Sequence, residues 1–131
     1  MSRVKMKLME IDVPSPTGRI YSKEVLEESI KKYNDREDKF VTIDQQSGSI
    51  IDISNVCGTV QELKIEDNQV IGIMNTYGTP KGRELDILIN NGFGPNLAYS
   101  MFGMGTINED NEVQPGFKIT GINIYPKPEG D

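Results

Sequence analysis

Apolar residues recur in two different rhythms along the chain, and the rhythm assigns the elements. Val4, Met6, Leu8, Ile11 and Val13 alternate loosely with charged positions, the period-two pattern of a half-buried strand over residues 3–13. Pro14-Ser15-Pro16-Thr17-Gly18 breaks that strand into a loop. Val25, Leu26, Ile30 and Tyr33 then fall on one helical stripe among Lys and Glu, with Ser22 placed to cap a helix over about Lys23–Asn34. Phe40-Val41-Thr42-Ile43 reads as a short strand that delivers Asp44, Gln45 and Gln46 to its end. One or two strands are expected in Ile50–Ile65 and another in Val70–Thr76, joined by a hairpin across Glu66-Asp67-Asn68-Gln69. A second helix is punctuated by Thr79 as cap, Pro80 at its first position and Gly92 as stop, with Leu85, Leu88 and Ile89 as its apolar face. Leu97–Ile107 and Phe117–Tyr125 complete the strands, with a turn at Asn108-Glu109-Asp110-Asn111 between them. The sum is an α+β chain: a mostly antiparallel, barrel-like sheet with two helices. It is expected to form one domain over 1–125, followed by an extended tail over 126–131.

Length and charge narrow the chemistry. At 131 residues one domain can bury a substantial core. A net charge of −6 disfavours a sequence-independent grip on nucleic acid, which needs clustered Lys and Arg. No apolar run has the length of a membrane span, and the opening residues lack the apolar core of a secretory signal, so no membrane partner is expected. Cys57 is the only cysteine and there is no histidine, so neither a disulfide nor the usual zinc site is expected, and Cys57 reads as a strand cysteine without a base to activate it. No cofactor or metal is indicated.

Ser100, in Leu97-Ala98-Tyr99-Ser100-Met101-Phe102-Gly103-Met104-Gly105, is framed like a nucleophile. A serine hydroxyl needs a base to take its proton, most often an imidazole. Lys81 and Lys118 are conceivable substitutes, although neither lies in a context that specifies the role. Asp44, Asp52 and Asp86 are carboxylates whose default is solvated surface. Asn108-Glu109-Asp110-Asn111-Glu112 has calcium-type oxygens but not the ordered spacing of a calcium loop. Gly103-Met104-Gly105 lies inside a strand pattern and is no phosphate loop.

Three segments in order resemble the tailed-phage prohead proteases, the head-maturation enzymes. Thr17-Gly18-Arg19-Ile20-Tyr21-Ser22-Lys23-Glu24-Val25-Leu26 is similar to their Asn-Gly-Arg-x-Tyr-Pro-x-x-x-Leu opening. Asn55-Val56-Cys57-Gly58-Thr59-Val60 resembles a strand that often reads Val-Ser-His. Thr79-Pro80-Lys81-Gly82-Arg83-Glu84-Leu85, Asn91-Gly92 and the Ser100 strand resemble a Thr-Pro-x-Gly helix leading to Gly-x-Ser-Ser-Arg-Gly. The resemblance spans roughly residues 10–107 and implies an assemblin-like β-barrel flanked by helices, with a serine served by a histidine.

The departures shape the functional expectation. Ile43-Asp44-Gln45-Gln46 corresponds to the family's Asp-His-Pro step, so Gln45 stands where the base would be, and an amide has no useful basicity. Met101 falls on the second serine and Phe102 on the arginine. Ser100, Gln45 and Asp44 therefore read as the remnant of a catalytic site. Met101, Phe102 and Met104 are candidate binding residues, Phe102 and Met104 facing one way and Met101 the other. From this the chain is expected to be a non-enzymatic phage head-assembly protein, an auxiliary, cement or decoration component. Its expected partners are the major capsid protein or other virion proteins, including copies of itself on the lattice. Its expected location is the virion, and the host cytoplasm during assembly. An active protease with an atypical base, and a regulatory pseudoprotease, are the competing expectations.

Overall fold

Met6 and Leu8 turn inward from Lys5 and Lys7 along β1, Arg3–Glu10, as the alternation requires. A computed structural model describes residues 2–15, 17–43 and 53–127. The further elements are α1 (Lys23–Asn34), β2 (Phe40–Ile43), β3 (Val56–Glu66), β4 (Gln69–Thr76), α2 (Pro80–Asn90), β5 (Leu97–Met104) and β6 (Lys118–Pro126). Single 3-10 turns at Ile53–Asn55 and Gly94–Asn96 lead into β3 and β5.

The strands form one mixed sheet in the order β1-β4-β3-β2-β6-β5. Among the named strands of the described residues only β2 and β6 pair parallel; the other strand pairings are antiparallel. The sheet curls into a half-barrel whose edge strands β1 and β5 come into contact without forming a ladder. α1 packs across β3 and β6, and α2 against β3 and β4. The α+β, barrel-like architecture read from periodicity is the one observed.

Local chemistry explains where each helix begins. The Ser22 hydroxyl accepts from the Val25 amide at 3.3 Å, and Val25, Leu26, Ile30 and Tyr33 are all buried. In α2 the Thr79 hydroxyl accepts from the Gly82 amide at 3.1 Å and donates to the Val56 carbonyl at 2.7 Å, tying the cap to β3. Asp67 and Asn68 both adopt positive φ in the β3–β4 turn, the geometry that lets a two-residue hairpin follow the strand twist.

β1 ends at Glu10 rather than Val13, the chain turning at Asp12 with positive φ, and two further details depart from the expected strands. β5 stops at Met104 rather than Ile107, because 107–113 folds back on itself and binds another partner. Ile107 bridges Val113, the Ile20 amide donates to the Asn111 carbonyl, and the Val113 amide donates to the Ile20 carbonyl. At the other end, Pro126 still pairs with Leu97, and the Lys127 amide donates to the Asn96 carbonyl.

Asn34, the last residue of α1, behaves as a strand neighbour. Its Nδ2 donates to the Leu63 carbonyl at 2.9 Å while its Oδ1 accepts from the Leu63 amide at 2.8 Å. Both bonds sit beside the irregularity in β3 at Val60–Glu62, where β3 is displaced from its β4 partner. Asn34→Ala leaves two partly buried backbone groups unpaired and is expected to cost about 2 kcal/mol. A urea midpoint within error of the parent would refute this.

Candidate functional site

Alternation decides which side chains meet on β5. Val41, Ile122 and Met101 form a cross-strand row on the core face, as do Ile43, Ile124 and Tyr99. Their neighbours Thr42, Asn123 and Ser100 form a second row on the opposite face. Asn123 lies directly between the other two, so the Thr42 and Ser100 Cα atoms are roughly 10 Å apart, two strand spacings.

The row is polar and graded in exposure. Thr42 and Asn123 are buried, whereas Ser100 is half-buried. The Thr42 hydroxyl donates to Asn123 Oδ1 at 3.1 Å and lies 3.4 Å from the Ile122 carbonyl, which fixes the orientation of the amide. The Ser100 side chain makes no hydrogen bond among the described residues. An amide so placed can hold or orient a hydroxyl or carbonyl, but it takes no proton. Asp44 and Gln45, expected beside the serine, lie outside the described residues, as do Gln46 and Asp52.

A β-bulge next to the row sets what surrounds it. Ile119, Ile122 and Ile124 all face the core, although the first two are three residues apart. The register shift between Phe102 and Gly103 absorbs the extra β6 residue that this spacing demands. Phe102 stays on the Ser100 face, half-buried over Gly121, and a Cβ there would lie 3.8 Å from its ring. Met104 ends the same face with 67% exposure, while Met101 packs against the core. The three hydrophobic candidates therefore divide between two faces of one strand.

The remaining candidates lie elsewhere. Lys118 pairs with Met104, five residues along β6 from Asn123, about 15 Å from the serine row. Lys81 is engaged with Glu84 at 3.4 Å on α2. Asp86 accepts from the Thr76 hydroxyl at 2.7 Å, and its hydrogen bonds with Ser2 and Thr76 hold its carboxyl below the usual range. Asn108 builds a local turn, its Oδ1 accepting from the amides of Asp110 and Glu112. Among the described residues no three His, Cys, Asp or Glu side chains gather where they would hold a metal ion, and no helix is long and apolar enough to cross a membrane.

Cys57 is buried in β3 with its Sγ 3.5 Å from the Val41 carbonyl, and burial pushes its thiol from an ordinary 9.0 up to about 12. Native protein at pH 8 should therefore resist a thiol-directed disulfide reagent that labels it fully in denaturant. Rapid stoichiometric labelling of the native state would contradict this. Because the folded value is the raised one, the thiol's stabilising contribution is intact below about 9 and declines as pH rises towards about 12.

The curled six-stranded sheet with two helices matches a prohead-protease-like fold. The solved structure of the bacteriophage T4 capsid assembly protease, gp21, is similar to this chain at a TM-score of 0.83 and 20% sequence identity, covering 96% of this chain and 82% of that one. No protein-family model matches the chain, and no curated protein does. The prohead-protease-like fold that the sequence motifs implied is thus the fold of this chain.

That similarity corrects the expectation of a chain without enzymatic activity. The structure it resembles is that of an enzyme, a capsid assembly protease. The missing histidine bears on which group would serve as base.

Proposed function

We propose that this chain acts in phage head assembly, engaging a capsid or scaffold polypeptide on the β5–β6 face that carries Ser100. The observation behind this reading is the accessible Ser100–Phe102–Met104 face of an edge strand, on a fold shared with a capsid assembly protease over 96% of the chain. Phe102 supplies an aromatic anchor, Met104 an adaptable apolar contact, and Ser100 a hydroxyl with no side-chain hydrogen bond among the described residues. Retention on the lattice as an auxiliary or decoration protein would carry the same contact into the virion.

The test is to place a photo-crosslinking side chain at Met104 and assemble proheads. Cross-links to a capsid or scaffold chain, and a lattice-related copy number in particles, are expected. Absence from both immature and mature heads would sink the proposal.

The free Ser100 hydroxyl favours a second reading, cleavage of the bound polypeptide. A fluorophosphonate should then label the protein stoichiometrically, and Ser100→Ala should abolish both labelling and scaffold cleavage. Labelling that survives Ser100→Ala would remove Ser100 from that role.

A further inference from the structure

The second half of α1 and the start of β6 enclose a pocket of about 430 Å³, remote from the serine row. Ser29, Lys32, Tyr33 and Arg36 form its helix side, Gly116, Phe117, Lys118 and Ile119 its strand side, and Asp38 its rim. Three of these carry positive charge and one negative, so the pocket is cationic on a chain whose net charge is −6.

Its donors are unequally engaged. Arg36 grips the Asp38 carboxylate through Nε and Nη2, each at 3.1 Å, and donates through Nη1 to the Ile119 carbonyl at 3.0 Å. Its guanidinium also lies 5.5 Å from the centre of the Tyr33 ring, so Arg36 serves as a wall. Lys32 pairs with Glu28 on the exposed side of the helix. Lys118 makes no ion-pair contact within 4 Å among the described residues, although its charge acts on Asp38 at the rim.

Tyr33 is the unexplained group. The residue is 2% exposed, and its hydroxyl has no hydrogen-bond partner among the described residues. A buried, unpaired hydroxyl costs about 1–3 kcal/mol, a cost that an arriving acceptor removes. The Tyr33 ring lies against the Arg36 guanidinium, so the residue stands beside the Arg36–Asp38 pair that walls the pocket. Burial holds the hydroxyl above its ordinary value, so it is a proton donor at neutral pH.

We propose that this pocket binds a carboxylate side chain, Asp or Glu, from an acidic segment of a protein partner. The Tyr33 hydroxyl and the Lys118 ammonium meet its two oxygens, and Phe117 covers its stem. A phosphate fits less well, since the only guanidinium fork is taken by Asp38 and that carboxylate repels a second negative charge. The chain's net charge of −6 disfavours a non-specific grip on an acidic partner, so a locally cationic pocket gives selectivity.

Nuclear magnetic resonance titration of the full chain with an acetylated, amidated hexaglutamate peptide tests this, with the hexaglutamine peptide and inorganic phosphate as controls. Saturable shifts are expected at residues 32–38 and 116–119 with the hexaglutamate peptide alone. Tyr33→Phe and Lys118→Gln should each weaken binding about tenfold, the loss of one charge-assisted hydrogen bond. Tyr33→Phe should keep or raise the thermal midpoint, which separates lost binding from lost folding. Equal response to hexaglutamine or phosphate, shifts centred elsewhere, or parental affinity in both variants would overturn the proposal. So would concentration-dependent shifts in the same residues without peptide, which would assign the pocket to a second copy of the chain. None of these outcomes depends on Ser100.

Discussion

Gly82→Ala is expected to destabilise the protein by about 3 kcal/mol, lowering the thermal midpoint by roughly 10 °C. A Cβ at position 82 would fall on the Tyr77 carbonyl oxygen and lie 2.8 Å from that of Cys57. Both neighbours are backbone, so neither can rotate away. The Tyr77 amide already donates to the Cys57 carbonyl at 2.9 Å, and Thr79 ties the same helix start to Val56. Moving α2 outward to admit a methyl group would therefore break its cap as well as its packing through Leu85, which is fully buried. Gly78→Ala, four residues earlier, is the control: a Cβ there meets nothing within 4 Å, and the change should stay within about 0.5 kcal/mol. Equal midpoints for the two variants would show that the close approach does not constrain the fold.

The glycine also shows what the Thr-Pro-x-Gly motif contributes. Threonine caps, proline starts the helix, and glycine lets its first turn lie against β3, so the motif is explained by packing before any chemistry is invoked. Features of this local kind were legible in the sequence. The Ser22 cap, the Val25-Leu26-Ile30-Tyr33 stripe and the Asp67-Asn68 turn each depend on residues within one or two turns of each other. The serine row was not legible, although its parts were visible. Thr42 interrupts Val41 and Ile43, and Asn123 interrupts Ile122 and Ile124, each a polar residue inside an apolar strand. Only the parallel pairing of β2 with β6 brings them together, across 81 residues, and no periodicity encodes a register of that range. The same limit applies to catalysis. A missing histidine is a fact of composition, whereas a base is defined by what stands next to Ser100. Activity follows from the second, and composition alone does not fix it.

Phe102→Ser should weaken binding to capsid or scaffold chains by tenfold or more while costing only about 1 kcal/mol of stability. The ring lies half-buried on the Ser100 face over Gly121, so its loss removes an aromatic anchor and opens little of the interior. Met101→Ser, on the adjacent residue, should do the reverse. Its side chain packs against the core beside Ile122 and Val41, so a hydroxymethyl group there leaves a void and an ill-matched hydroxyl, at about 2–3 kcal/mol. Binding by its folded fraction should be unchanged. Both substitutions put serine in place of a large apolar residue on the same strand, and they alter opposite faces. Denaturant unfolding and prohead co-sedimentation of both variants would therefore locate the docking face directly. If Met101→Ser loses binding in its folded state and Phe102→Ser does not, the polypeptide docks elsewhere, and the serine row would need another explanation.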